Sequence, residues 1–193
     1  MPGAELHKVL IIGLRLSTGG ALAHTLNPIV GELDGDALFD SNSQLAAMTR
    51  AFRRVNTTAK VIAAAVDENA GGVAATGTIL LSGTSTKEGT LRVRVGDARV
   101  DVNIPSGTAA AAAAALLNTA LGLKERLPVT AGVASATVTT THRSKGTSGN
   151  DITLEVELIP AGLSPTVTQP ANGATDPSLA TLIGLLDETR YDT

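Results

Sequence analysis

Near Val73 the hydrophobic pattern of the chain changes period, and that change constrains which layers it can build. Before it, His7–Leu14 (HKVLIIGL) and Ala59–Val66 (AKVIAAAV) are continuous aliphatic runs, the pattern of strands buried on both faces of a parallel sheet. Between them Ser41–Val55 reads as a helix. Ser41 and Gln44 form a capping box, and Leu45, Met48, Phe52 and Val55 share one face. Strand, helix, strand is a βαβ unit, expected to cross over right-handed.

After Val73, Thr78–Ser82, Thr90–Val95 and Ala98–Ile104 alternate, as strands with one wet face must. Leu91, Val93, Val95, Val100, Val102 and Ile104 fall on one face; Arg92, Arg94, Arg99, Asp101 and Asn103 fall on the other. Gly96-Asp97 supplies a hairpin turn. Ser106-Gly107-Thr108 opens an alanine-rich helix, Ala109–Leu121, which Gly122 should stop. Two further strands, Ser135–Thr141 and Asp151–Ile159, complete an antiparallel βββαββ block. Pro160–Thr175, with three prolines, reads as a return connection. Asp176-Pro177 then starts a helix with Leu179, Leu182, Ile183 and Leu186 on one face.

The expected class is therefore mixed α/β. Residues 1–72 with 174–193 form an incomplete βαβ layer, and residues 73–173 form an inserted, protruding β-rich domain. The chain stops where a next parallel strand would begin, so it reads as cut short.

Composition narrows the function classes. Of 193 residues, 43% are hydrophobic and 17% charged, which is too apolar for disorder. Aromatics are only 2%, namely Phe39, Phe52 and Tyr191, which excludes a stacking platform for nucleic acid and an aromatic sugar cradle. With no cysteine there are no disulfides, thiolate metal sites or cysteine nucleophiles. A net charge of −3, without any basic or acidic tail, provides no attraction to phosphate backbones. Neither a membrane-spanning run nor a signal peptide is legible, and a soluble protein made in the cytoplasm is expected.

Motifs for chemistry fail at required positions. Gly13–Gly20 (GLRLSTGG) follows a strand but matches neither phosphate-loop pattern, and reads as a flexible βα connection. Asp34, Asp36, Asp40 and Asn42 cluster, yet the glycine and terminal glutamate of a calcium loop are missing. His7, His24 and His142 are too scattered for a zinc motif, and no serine sits in a nucleophile elbow. No enzyme, metal or cofactor is expected. Arg50, Arg53 and Arg54 cluster on the helix opposite Phe52, where a solvated face competes with a self-assembly contact.

The order of these pieces resembles contractile phage tail sheath proteins of the Mu-like type. The resemblance is carried by HKVLIIGL (7–14), by ALF and SQLAAM with the helix that follows (37–55), by ATGTI, SGT and GTL (75–91), by LPVTAG (127–132), by KGTSGNDI (145–152) and by DPSLATLIGLLDETRYDT (176–193). Asp40-Ser41-Asn42 stands where the family has a glycine-rich link, and family members have a longer amino-terminal arm and continue well past Tyr191-Asp192. The chain thus resembles the amino-terminal part of a sheath subunit. The resemblance implies a cofactor-free structural protein of the virion tail, self-associating in rings around the tail tube protein, with baseplate and tail terminator proteins as further partners and no nucleic acid or membrane partner. It also implies assembly through terminal arms, so these residues alone are expected to be monomeric or weakly associated. The competing reading is a virion surface-displayed binding module for host polysaccharide or another virion protein.

Overall fold

The two aliphatic runs pair as parallel neighbours, β1 (Lys8–Leu14) against β3 (Lys60–Val66), in register from Lys8 opposite Lys60 to Leu14 opposite Val66. The structure is a computed structural model that describes residues 8–186; His7 and Tyr191 lie outside the described residues. The chain divides into two compact units, residues 1–70 with 176–193 and residues 71–175.

In the first unit β3 is central. Its other neighbour is a short antiparallel strand, β2 (Leu26–Ile29), giving the order β1-β3-β2. Four residues including Pro28 carry no readable period, and proline is tolerated because β2 is an edge. A short helix, α1 (Asp34–Phe39), precedes α2 (Gln44–Val55). The cap of α2 is Ser43, whose hydroxyl accepts from Ala46 N–H at 3.1 Å, not Ser41; Gln44 instead accepts the Leu14 N–H at 3.3 Å. The buried face is also rotated from the expected one. Leu45, Ala46, Thr49, Arg50 and Arg53 are inside, while Met48 and Val55 are exposed. The cause is α1, which packs on the Thr49 side through Gly35, where an added Cβ would lie 3.3 Å from Ala46 Cα. At the far end α4 (Ala180–Leu186) starts later than Asp176-Pro177 suggested. Leu182 packs with Ala64 and Val66, but Leu179 and Ile183 are exposed.

The second unit holds β4 (Thr76–Gly83), β5 (Gly89–Val95), β6 (Ala98–Ile104), α3 (Ala110–Leu123), β7 (Val129–Ala134), β8 (Thr137–His142), β9 (Leu154–Leu158) and β10 (Leu163–Ala171). They form two antiparallel sheets, β10-β4-β8-β7 and β6-β5-β9. The expected βββαββ block is therefore corrected to βββαββββ. β7 was hidden because Ala131, Gly132 and Ala134 blur its alternation. β10 was hidden by Pro165 and Pro170, which an outer strand accommodates.

The six aliphatic side chains expected inside β5 and β6 are all buried. Above them α3 contributes Ala113, Ala114, Leu117 and Leu121 to the same core. Gly122 does not end this helix: nothing crowds it, and the last turn runs on to Leu123.

Where the unit begins and ends, its two ends are fastened together. Val73 and Ala174 exchange main-chain hydrogen bonds of 2.9 and 3.0 Å. Beside them a 3-10 turn over Thr147–Asp151 carries Asn150, whose Oδ1 accepts the Gly173 N–H at 2.8 Å and whose Nδ2 donates to the Gly173 carbonyl at 3.0 Å. Gly149 makes the approach possible, since a Cβ there would fall 2.8 Å from the Cβ atoms of Ala75 and His142. The KGTSGNDI stretch is thus a clasp. With its own core and closed ends, residues 71–175 expressed alone are expected to unfold in one cooperative transition by circular dichroism; a gradual, non-cooperative melt would show that they depend on the remaining chain.

Candidate assembly surface

The arginine trio of α2 divides by burial. Arg50 and Arg53 are each 7% exposed, so neither belongs to the solvated face expected for them. Arg50 donates to Asp36 of α1 in an ion pair whose side chains are 9% and 14% exposed. Arg53 donates to the carbonyls of Ile29 and, at 2.9 Å, Ala59, tying α2 to the ends of β2 and β3; its Nε finds no acceptor. Both are internal fasteners. Arg54 alone reaches solvent, at 3.4 Å from Glu32. Flanking this exposed pair in sequence, Val30, Leu33 and Val55 are 78%, 55% and 83% exposed.

The other candidate residues are consumed by the fold. In the Gly13–Gly20 segment, Leu16 N–H donates to Phe39 O at 3.2 Å, Gly19 N–H to Leu16 O at 3.0 Å and Gly20 N–H to Ala37 O at 3.5 Å. These amides face carbonyls of the chain itself, and the segment leads to β2 rather than to a helix, which corrects the βα connection. Asp34 accepts the N–H groups of Gly31 and Val30 at 2.7 and 2.8 Å, bonds that lower its pKa. Asp36 holds Arg50, and Asp40 accepts from Thr18 Oγ1 at 2.5 Å and Asn42 N–H at 2.8 Å. The acidic cluster therefore disperses, and among the described residues no group of three His, Asp or Glu side chains is placed to hold a metal. His142 Nδ1 donates to the Ser144 carbonyl at 2.7 Å. No helix among the described residues is long and apolar enough to cross a membrane.

A charged lattice on the outer face of β6-β5-β9 was only half legible. Arg92 and Arg99 both bond Asp101, at 2.8 and 2.5 Å, as the alternation placed them. Glu157, 2.9 Å from Arg94, arrives from β9, because β5 pairs with that strand across a long sequence interval. The hydrogen bond from Arg99, and next that from Arg92, hold the Asp101 carboxyl well below the usual carboxylate range, and Asp101 in turn raises Arg99.

Two expectations follow. Asp36→Ala strands a buried guanidinium and should cost about 3–5 kcal/mol in chemical denaturation, whereas the double replacement Asp36→Leu with Arg50→Met should cost far less. Asp101, depressed in the folded state, contributes stability that is fully present above the ordinary aspartate pKa of about 3.9 and is lost as pH falls through its lower folded value. Asp101→Asn should therefore flatten the acid limb of a melting-temperature profile below about pH 4, leaving its shape near neutrality unchanged.

No protein-family model matches the chain. A Mu-like prophage FluMu tail sheath protein from Haemophilus influenzae is 34% identical over 187 residues, covering 94% of this chain and 38% of the relative. The chain thus spans well under half the length of the curated relative it matches. Through that match, sustained over nearly all of its residues, the chain is similar to the amino-terminal part of a Mu-like tail sheath protein.

Proposed function

We propose that this chain is the amino-terminal portion of a structural subunit of a contractile phage tail sheath, one that polymerises around the tail tube and contracts during infection. The observation that carries the reading is the 34% identity to a tail sheath protein over 94% of the chain. The geometry supports it in kind. Carboxylates and arginines that a catalytic or ligand site would need unpaired are spent on internal bonds between elements. Contraction of such a lattice needs no cofactor, because the free energy is stored in contacts between copies and released when they rearrange.

Within that reading, the surface around Arg54, with Val30, Leu33 and Val55, is where one copy meets another. It combines three exposed aliphatic side chains with an ion pair that exchange between copies preserves. Arg50 supports it from beneath by fixing α1 against α2, and Arg53 by fixing the β2 end against α2. Partners beyond a second copy, the tube, baseplate and terminator proteins, follow from the same reading.

The test is assembly. Carried in a subunit of the relative's length, the sequence should give tubes or rings by electron microscopy. Val30→Asp with Val55→Asp should leave the melting temperature near wild type while shifting light scattering toward discrete particles. Subunits that stay discrete and retain a polysaccharide or another virion protein would overturn the sheath reading in favour of a displayed binding module.

A further inference from the structure

We infer that Asn172–Gly173 is a latent deamidation site and that the Asn150 side chain holds it shut. This is the one Asn-Gly pair in the chain. In such a pair the main-chain nitrogen of the glycine attacks Cγ of the asparagine side chain, with no Cβ on the attacking residue to hinder it. A bond forms between Gly173 N and Asn172 Cγ, the Cγ–Nδ2 bond breaks, and ammonia leaves carrying the proton lost from Gly173 N. Water then opens the succinimide at either carbonyl, leaving aspartate or iso-aspartate at position 172. Nothing is oxidised or reduced, and solvent is the sole co-reactant.

Side-chain access at Asn172 is open, since the residue is exposed, but the nucleophile is held. Gly173 N–H is engaged by Asn150 Oδ1 at 2.8 Å and its carbonyl by Asn150 Nδ2 at 3.0 Å, so both sides of the residue are gripped by one amide. The next residue, Ala174, is bonded in both directions to Val73, and Asn172 is fixed in the left-handed region at φ 67°. Ring closure requires Gly173 N to leave Asn150 and swing toward its neighbour's side chain. The clasp therefore has to open first.

The vulnerable sequence is forced by packing. A Cβ at residue 173 would lie 2.9 Å from Asn150 Oδ1 and 3.1 Å from Ala75 Cβ, so the clasp demands the glycine that makes the preceding bond labile. Once iso-aspartate forms, the main chain gains a carbon between residues 172 and 173, and Gly173 can no longer reseat on Asn150. Opening is thereby recorded as a permanent change, with a new carboxylate beside it.

The experiment is peptide-mapping mass spectrometry of residue 172, with iso-aspartate detection, on the purified chain incubated at mildly alkaline pH with and without guanidinium. The native chain should deamidate about tenfold or more slowly than the denatured one, and folded Asn150→Ala about tenfold or more faster than wild type. Asn150→Asp retains the acceptor for Gly173 N–H but loses the donor to the Gly173 carbonyl, and should react between wild type and Asn150→Ala. Equal rates in native and denaturing buffer, or a folded Asn150→Ala no faster than wild type, would overturn the assignment. Should Asn150→Ala fail to fold by circular dichroism, the native-to-denatured ratio of the wild type and a folded Asn150→Asp decide: a ratio near one, or an Asn150→Asp no faster than wild type, would overturn it equally.

Discussion

The core of residues 71–175 has no aromatic ring and has to be closed by close approach, and most of that unit's architecture follows from this constraint. Every fully buried apolar side chain in the larger cluster of residues 71–175 is Ala, Val, Leu or Ile. Burial stabilises at about 25 cal/mol per Å² of apolar surface, so small side chains contribute only if backbones come near one another. Ala113 and Ala114 bring α3 down on the sheets, and Gly77 lets Leu154 and Pro170 fill the space its side chain would occupy, with an imagined Cβ 2.8 Å from Leu154 Cδ1. Gly149 does the same beneath Ala75 and His142. The high alanine and glycine content is thus a packing solution.

The smaller unit solves a different problem. Among the described residues its sheet has three strands, and the connection between β2 and α2 has to be anchored beside it. Two buried arginines perform that anchoring, one by an ion pair and one by gathering main-chain carbonyls. Such groups stabilise less than a hydrophobic replacement of equal volume would, but they specify one arrangement, because any other leaves a charge buried and unpaired.

What the sequence made legible was whatever its own period encodes. The parallel pairing of the two aliphatic runs, the inward faces of β5 and β6 and the Gly96-Asp97 turn are local patterns, and each was readable before any coordinate. The misplaced features were decided by contacts distant in sequence. Gly35 of α1 rotates the buried face of α2, so Arg50 and Arg53 looked solvated on a helical wheel although the tertiary partner lay elsewhere. Glu157 joined the charged lattice only through the β5–β9 pairing. β10 was concealed because prolines signal a loop unless an edge position is known. The clasp had a visible motif, but its role required seeing Gly173 beside Asn150.

Because Val73 and Ala174 are hydrogen-bonded neighbours, the chain departs from the 71–175 unit at the point where it arrived. For the polypeptide on either side, that whole stretch has the topology of a tight turn, and the entropy of closing it is met within the stretch itself. Its length and surface are free to diverge without altering the register in which Lys8 faces Lys60. Such a fold permits a lineage to keep one layer constant while rewriting the other.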